Sequence, residues 1–299
     1  MRSTGLIAIS ILPLAAMLAA QTFKLDSNLV LVGVSVTDRY HHPVMGLQQD
    51  RFEILDDRVP QPVAFFGRED APLSVGMILD VSGSIGRAVG KIRDALAQFC
   101  QVANPKDEFF LVTVSTTPDL LQPFTNDCGD LQGKLFAIPA RGNTSLLDGV
   151  ALAVRQMKKA RHPRRALVVV TDGEDNNSRY THSEIRNMAL ESDTQIYVLG
   201  LPSDVPTLLG EAGPDGIRFF EDLADVTGGR FFPIYRNAEI PAAAKKVGEE
   251  LHNQYVLGYR PSGVALDGKF HRVLVKLLPQ PGAPKLFVTH KSGYYAPLE

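Results

Sequence analysis

The chain has 299 residues, 44% of them hydrophobic and 21% charged, an ordinary globular balance rather than a disordered or fibrous one. Its formal net charge is −2, so no basic excess points to nucleic acid and no polybasic stretch to a membrane surface. Domains usually hold about 100–200 residues, which allows two units at most, or one with additions.

Residues 1–23 read MRSTGLIAISILPLAAMLAAQTF. One positive charge at Arg2 precedes an apolar segment from Gly5 to Ala20, the pattern of a secretory signal peptide spanning 1–20. The cut after Ala20 lacks a clean Ala-x-Ala, so an uncleaved anchor is the alternative, although about 16 apolar residues are short for a spanning helix. No later stretch is long enough to cross a bilayer, and the remainder is expected outside the cytoplasm, periplasmic or secreted. Export would permit a disulfide between Cys100 and Cys128, while both segments could equally bury a free thiol. Neither cysteine belongs to a CxxC pair, which leaves a zinc or thioredoxin-type reading without support.

From residue 23 to 70 the pattern has period two. NLVLVGVSVTD places Leu29, Leu31, Val34 and Val36 among small and polar residues, with a break in alternation at Gly33. DRFEILDD and QPVAFF are further strand candidates. His41 and His42 fall in a turn, where neighbours point apart and solvation is the expectation.

Between 72 and 253 strands alternate with helices. LSVGMILD is an apolar run with little alternation, as in a strand buried on both faces. RAVGKIRDALAQFCQVA follows with Val89, Ile92, Leu96, Phe99 and Cys100 at helical spacing. The order continues with DEFFLVTVST (strand), SLLDGVALAVRQMKKA (helix), RALVVVTD (strand) and THSEIRNMALES (helix). TQIYVLGL (strand), FFEDLADVTGG (helix), RFFPIY (strand) and AEIPAAAKKVGEELHNQ (helix) complete it. RHPRR at 161–165 is expected to be a solvated loop. The alternation predicts an α/β fold, a doubly wound, mostly parallel sheet covered on both faces.

From 254 to 299 QYVLGYRP, HRVLVKLL and KLFVTH return to strands. Few strands at either end can stabilise a sheet alone. The two terminal groups are therefore expected to pair into one small β-sandwich, with the α/β domain as an insertion. The alternative is that each group packs separately on that domain. The tyrosines of YVLGY and GYYAP are expected to pack in the core with their hydroxyls at its rim.

In an open parallel sheet, ligands bind beyond the carboxyl ends of the strands. Three loops there carry oxygen donors: DVSGS with Asp80, Ser82 and Ser84, RGNTSLLDG with Thr144, and TDGEDNN with Asp172. Hydroxyls and carboxylates suit hard divalent cations, whereas softer metals call for His or Cys. Each loop alone is as well explained by a helix cap or a strand-end turn. Glu174 and Asp175 are expected to be exposed loop carboxylates.

ILDVSGSIG, RGNTSLLDG and VVVTDGEDN together resemble the three metal-site loops of von Willebrand factor A domains, over residues ~72–250, about one domain in length. The resemblance implies a metal-ion-dependent adhesion site. Ser82, Ser84 and Thr144 would bind one divalent cation (Mg²⁺, or Mn²⁺ or Ca²⁺), with Asp80 and Asp172 acting through water. One open position would take an acidic residue from a protein partner. The flanks, VTDRYHHPVMGLQQDRFEILDD and QYVLGYRP…GYYAP, resemble a group of exported bacterial proteins related to von Willebrand factor A. Where that group commonly has glycine in the first turn, this chain has YHHP.

The implied function is non-enzymatic, partner-binding adhesion or assembly outside the cytoplasm. A structural role, with the metal only steadying loops in an envelope assembly, is a second reading. A hydrolase using Ser84 is a third. It lacks the Gly-x-Ser-x-Gly elbow and a histidine in these loops, and Asp80 lacks the Asp-x-Asp of phosphoryl transfer. No P-loop or Gly-x-Gly-x-x-Gly is present to cradle a nucleotide.

Overall fold

The computed structural model describes residues 29–68, 71–86, 88–135, 141–202, 213–264, 267–280 and 282–296. The signal-like segment 1–20 lies outside them, as does the side chain of Ser84.

The chain begins with four strands: β1 (Val30–Thr37), β2 (Phe52–Asp56), β3 (Val59–Gln61) and β4 (Phe65–Arg68). The α/β region follows, with strands β5 (Leu73–Asp80), β6 (Glu108–Val114), β7 (Pro118–Thr125), β8 (Arg164–Thr171), β9 (Gln195–Gly200) and β10 (Phe231–Pro233). Its helices are α1 (Val89–Cys100), α2 (Cys128–Leu135), α3 (Leu146–Met157), α4 (His182–Glu191), α5 (Gly213–Thr227) and α6 (Ile240–His252). Four strands close the chain: β11 (Tyr255–Tyr259), β12 (Phe270–Leu277), β13 (Phe287–His290) and β14 (Gly293–Tyr295).

The central sheet has the order β10-β9-β8-β5-β6-β7 and is parallel except for β7, which runs antiparallel to β6. All eight residues of β5 are buried, because helices cover both faces. Val75, Met77 and Leu79 meet Ile92, Leu96 and Phe99 of α1 and Val247 and Leu251 of α6 on one side. Ile78, Val112 and Val169 meet Val150 and Val154 of α3 on the other. Burying one such aliphatic side chain contributes about 1.5–3 kcal/mol. Gly149 lets α3 sit directly on β6, since a Cβ there would lie 2.4 Å from Val114 Cγ2. That close seat fixes the height of the helix start, where Thr144 and Ser145 lie.

The terminal strands pair with each other, as expected. β1 lies between β11 and β13, with β4 beyond β11, and β12 lies between β2 and β14, with β3 beyond β2. The two four-stranded sheets share one core of Val32, Val34, Val36, Ile54, Leu257 and Val273 with their neighbours. Alternation along β12 buries His271, Val273 and Val275 and exposes Arg272, Leu274 and Lys276. The sandwich meets the α/β region through Gln254, whose side-chain amide donates to Ser35 Oγ, Gln195 Oε1 and Tyr197 Oη. Arg230 adds an ion pair to Glu250 at 3.3 Å and a hydrogen bond to Thr37 Oγ1.

Several expectations need correction. In β1 the inward residues are Val32, Val34 and Val36, while Leu29 and Leu31 are exposed; the alternation runs unbroken through Gly33, whose lack of a side chain makes room for Gln254 and Gln195. The segment 161–165 is a solvated loop only in part: Arg161 and Pro163 are exposed, while Arg164 and Arg165 open β8. Arg161 pairs with buried Glu108 at 2.7 Å, and Arg164 donates to the carbonyls of Ala71 and Leu251. Neither β7 nor α2 was anticipated. β7 is an edge strand with two prolines and no period-two stripe, and α2 carries two glycines in eight residues. His41 takes φ +64°, the left-handed conformation that favours glycine. The turn is held by Asp38, which accepts from the amides of Tyr40 and His42.

Cys100, ending α1, and Cys128, opening α2, form a disulfide with a Cα separation of 5.8 Å. It closes a loop of 28 residues. The double substitution Cys100→Ser/Cys128→Ser is expected to lower unfolding stability by about 2–4 kcal/mol in urea denaturation. A loss below about 0.5 kcal/mol would show that the bridge does not constrain the unfolded chain.

Candidate functional site

The three donor loops meet at the carboxyl end of the central sheet. Asp80 ends β5, Asp172 follows β8, and Thr144 precedes the start of α3. The first loop is tied to the second by the amides of Arg141 and Gly83, which donate to the carbonyls of Val81 (3.0 Å) and Gly142 (3.3 Å). The second is tied to the third through Thr144. Its carbonyl accepts from the amides of Asn176 and Asn177, and its amide donates to Asn176 Oδ1. The first and third join where Thr171 Oγ1 donates to Asp80 Oδ2 at 3.1 Å.

Asp80 is completely buried. Its Oδ1 accepts from the amide of Ser82 at 2.9 Å. Burial pushes the Asp80 carboxyl up to about 6; hydrogen bonds from Ser82 and Thr171 oppose the rise, and the charge of Asp172 adds to it. Asp172 is buried as well. Its Oδ1 accepts from the amide of Glu174 at 3.1 Å, and its Oδ2 has no hydrogen-bond partner. Ser82 and Thr144 are buried beside them, under a rim where Gly83, Arg141, Gly142 and Asn143 are exposed. Ser84 sits in the short 3₁₀ turn Gly83–Ile85.

The capping explanation fails for Ser82 and Ser145. Ser82 precedes the 3₁₀ turn and Ser145 precedes α3, yet neither side chain makes a cap hydrogen bond. Ser145 Oγ donates instead to the Ser115 carbonyl. The start of α3 is capped from a distance: Leu147 N donates to Asp175 Oδ2 at 2.8 Å, and Asp148 N donates to Ser178 Oγ. Asp175 is therefore not an exposed loop carboxylate. It also accepts from Ser178 N and Oγ, and so clamps the third loop to the helix that carries Thr144.

Thr171 and Asn176, with Asp175, are the positioning residues that motif reading missed. Thr171 lies on an inward position of an apolar strand, and only its place one residue before Asp172 marked it. Gly173, at φ +81°, accommodates the turn, and a Cβ there would meet Ile217 of α5 at 2.7 Å. Among the described residues no histidine is hydrogen-bonded to the three loops; His182 stacks on Phe219, and His162 bonds the Lys106 carbonyl.

Residues 75–174 match the family model described as the von Willebrand factor type A domain. This region, about a third of the chain, is thus similar to a family that often mediates protein–protein interaction and consists mainly of non-enzymatic binding modules. The chain is similar to inter-alpha-trypsin inhibitor heavy chain H4 from Bos taurus and from Homo sapiens. Both are 24% identical, over 61% and 62% of this chain. The chain spans only 20% and 21% of the length of these relatives. A von Willebrand factor type A structure from Catenulispora acidiphila aligns with a TM-score of 0.53 at 11% identity, covering 89% of this chain and 73% of that one. Proximal thread matrix protein 1 of the mussel byssus aligns with a TM-score of 0.53 at 13% identity, covering 66% and 50%. These likenesses are of fold. No helix among the described residues is long and apolar enough to cross a membrane.

Asp175→Ala removes the acceptor for four donors at the loop–helix joint and is expected to lower stability by about 1–3 kcal/mol. Chemical denaturation measures this. An unchanged midpoint would mean that α3 is held without the clamp.

Proposed function

We propose that the chain is an exported binding module that captures a carboxylate of a protein partner through one divalent cation. Ser82, Ser84 and Thr144 would hold the cation directly, and Asp80 and Asp172 would act through water. The class of cation is the hard, oxygen-seeking one, Mg²⁺ first, with Mn²⁺ and Ca²⁺ as substitutes. When bound, it would supply positive charge with a coordination position open to the partner.

One observation carries this reading. The buried carboxylates of Glu108, Asp148 and Glu250 each face a basic side chain: Arg161, Arg179 and Arg230. Asp107 faces His252 at 3.2 Å. No basic side chain pairs with Asp80 or Asp172 among the described residues, and Asp172 Oδ2 is buried without any partner. Two uncompensated carboxylates side by side are costly unless a cation is supplied from outside the chain. The donor set of hydroxyls and carboxylates fits such an ion, and keeping the aspartates at one remove would leave it enough charge to attract a further carboxylate. The Cys100–Cys128 disulfide supports export, because such bonds persist in oxidising compartments.

Asp172→Asn tests the site without disturbing its hydrogen bonds, since Oδ1 remains free to accept from Glu174. Without added metal the variant is expected to be as stable as wild type or up to about 1 kcal/mol more so, through relief of repulsion. At one hundred times the dissociation constant, Mg²⁺ is expected to stabilise wild type by about 2.7 kcal/mol and the variant by far less. Thermal unfolding with and without Mg²⁺ reads both effects. An equal Mg²⁺ response in the two proteins overturns the site. Partner capture from the native envelope that survives EDTA would overturn the carboxylate bridge while leaving the site intact.

A further inference from the structure

We propose a second divalent-cation site, in the β-sandwich, formed by Asp56, Asp57 and His271 and suited to a transition-metal ion such as Zn²⁺. Nothing in the three-loop reading uses these residues. Asp56 ends β2, Asp57 opens the turn to β3, and His271 is an inward residue of β12. Strand neighbours normally face opposite ways. Here the backbone enters the left-handed region at Asp57 (φ +44°) and Arg58 (φ +70°), which swings the Asp57 carboxylate to the side of Asp56.

Three donor atoms converge. His271 Nδ1 lies 3.5 Å from Asp56 Oδ1 and 3.5 Å from Asp57 Oδ2, and all three atoms lie within 4.8 Å of one another. Asp56 and His271 are buried, and their converging atoms Oδ1 and Nδ1 have no hydrogen-bond partner. A charge-assisted N–H···O contact would close to about 2.7–2.9 Å. Two donors at about 2.1 Å from a tetrahedral metal instead stand about 3.4 Å apart, close to the separation found.

The other atom of each side chain is fixed elsewhere, which leaves the converging atoms pointed inward. Asp56 Oδ2 accepts from the hydroxyls of Tyr259 (3.0 Å) and Tyr294 (2.9 Å). Asp57 Oδ1 accepts from the amide of Arg272 at 3.0 Å. His271 Nε2 faces Asp267 Oδ1 at 3.2 Å. A proton held on Nε2 by that carboxylate leaves the lone pair on Nδ1, the arrangement in which a second carboxylate orients a metal-binding imidazole. A mixed imidazole and carboxylate set favours a transition metal over Mg²⁺. Asp57 is exposed and opens on a cavity of about 740 Å³ shared with Arg58, Asp225 and His290, which gives a hydrated ion a way in. A bound ion would pin the β2–β3 turn to β12.

The test is calorimetric titration of Zn²⁺ into the EDTA-stripped and dialysed full chain, in parallel with Asp57→Asn, His271→Gln and Asp172→Asn. Asn tolerates the left-handed conformation and can still accept from Arg272, so Asp57→Asn is expected to fold. Zn²⁺ affinity should fall at least tenfold in Asp57→Asn and His271→Gln and stay unchanged in Asp172→Asn. Co²⁺ should show visible absorption characteristic of low coordination number in wild type and lose it in Asp57→Asn. Equal Zn²⁺ affinity in wild type and Asp57→Asn overturns the proposal. Loss in Asp172→Asn alone overturns it too, by assigning Zn²⁺ to the three-loop site.

Discussion

A carboxylate taken out of water must find positive charge or hydrogen-bond donors, at an effective cost of several kcal/mol when it does not. This chain meets the demand in two ways. Most buried acids are paired within the fold: Glu108 receives Arg161, Ser74 and a backbone amide, and Asp148 receives Arg179 and two backbone amides. Asp80 and Asp172 receive only hydroxyls and amides. The carboxyl edge of the sheet therefore holds two buried carboxylates without a basic partner among the described residues, and the loops around it are braced by hydrogen bonds.

The bracing follows from topology. Three loops from distant parts of the sequence can converge only because β5 and β8 are adjacent and α3 is seated against the sheet by Gly149. The sandwich depends on topology as well. β1 cannot pair until β11 and β13 have been made, and β2 waits for β12. Formation of that core is thus tied to completion of the domain between its halves, and Gln254 and Arg230 fasten the two where the chain leaves α6 for β11.

Much of this was legible in the residues. Apolar runs without alternation and helical spacing placed the α/β core, because burial on both faces of β5 and on one face of each helix imposes those patterns. The failures are equally physical. β7 is an edge strand, half-buried on both faces and interrupted by two prolines. In RHPRR, Arg161 and Arg164 serve the buried Glu108 carboxylate and two backbone carbonyls, partners that no local pattern reveals. Asp80, Ser82, Thr144 and Asp172 were readable as a set, whereas Thr171, Asp175 and Asn176 act through contacts between loops. The Asp56–Asp57–His271 cluster was invisible because His271 is more than 200 positions from the two aspartates in sequence and meets them only through strand pairing.

The serines illustrate why spacing alone is ambiguous. A Ser before a helix satisfies an orphan amide if its side chain turns toward the helix. At Ser145 the hydroxyl turns to Ser115 and the amides of α3 take Asp175 and Ser178 instead. Supplying the cap from a neighbouring loop leaves Ser145 to tie the helix start to the end of β6. It also makes the position of Thr144 depend on the loop that carries Asp172. Thr144 and the loop that carries Asp172 are therefore coupled through these hydrogen bonds.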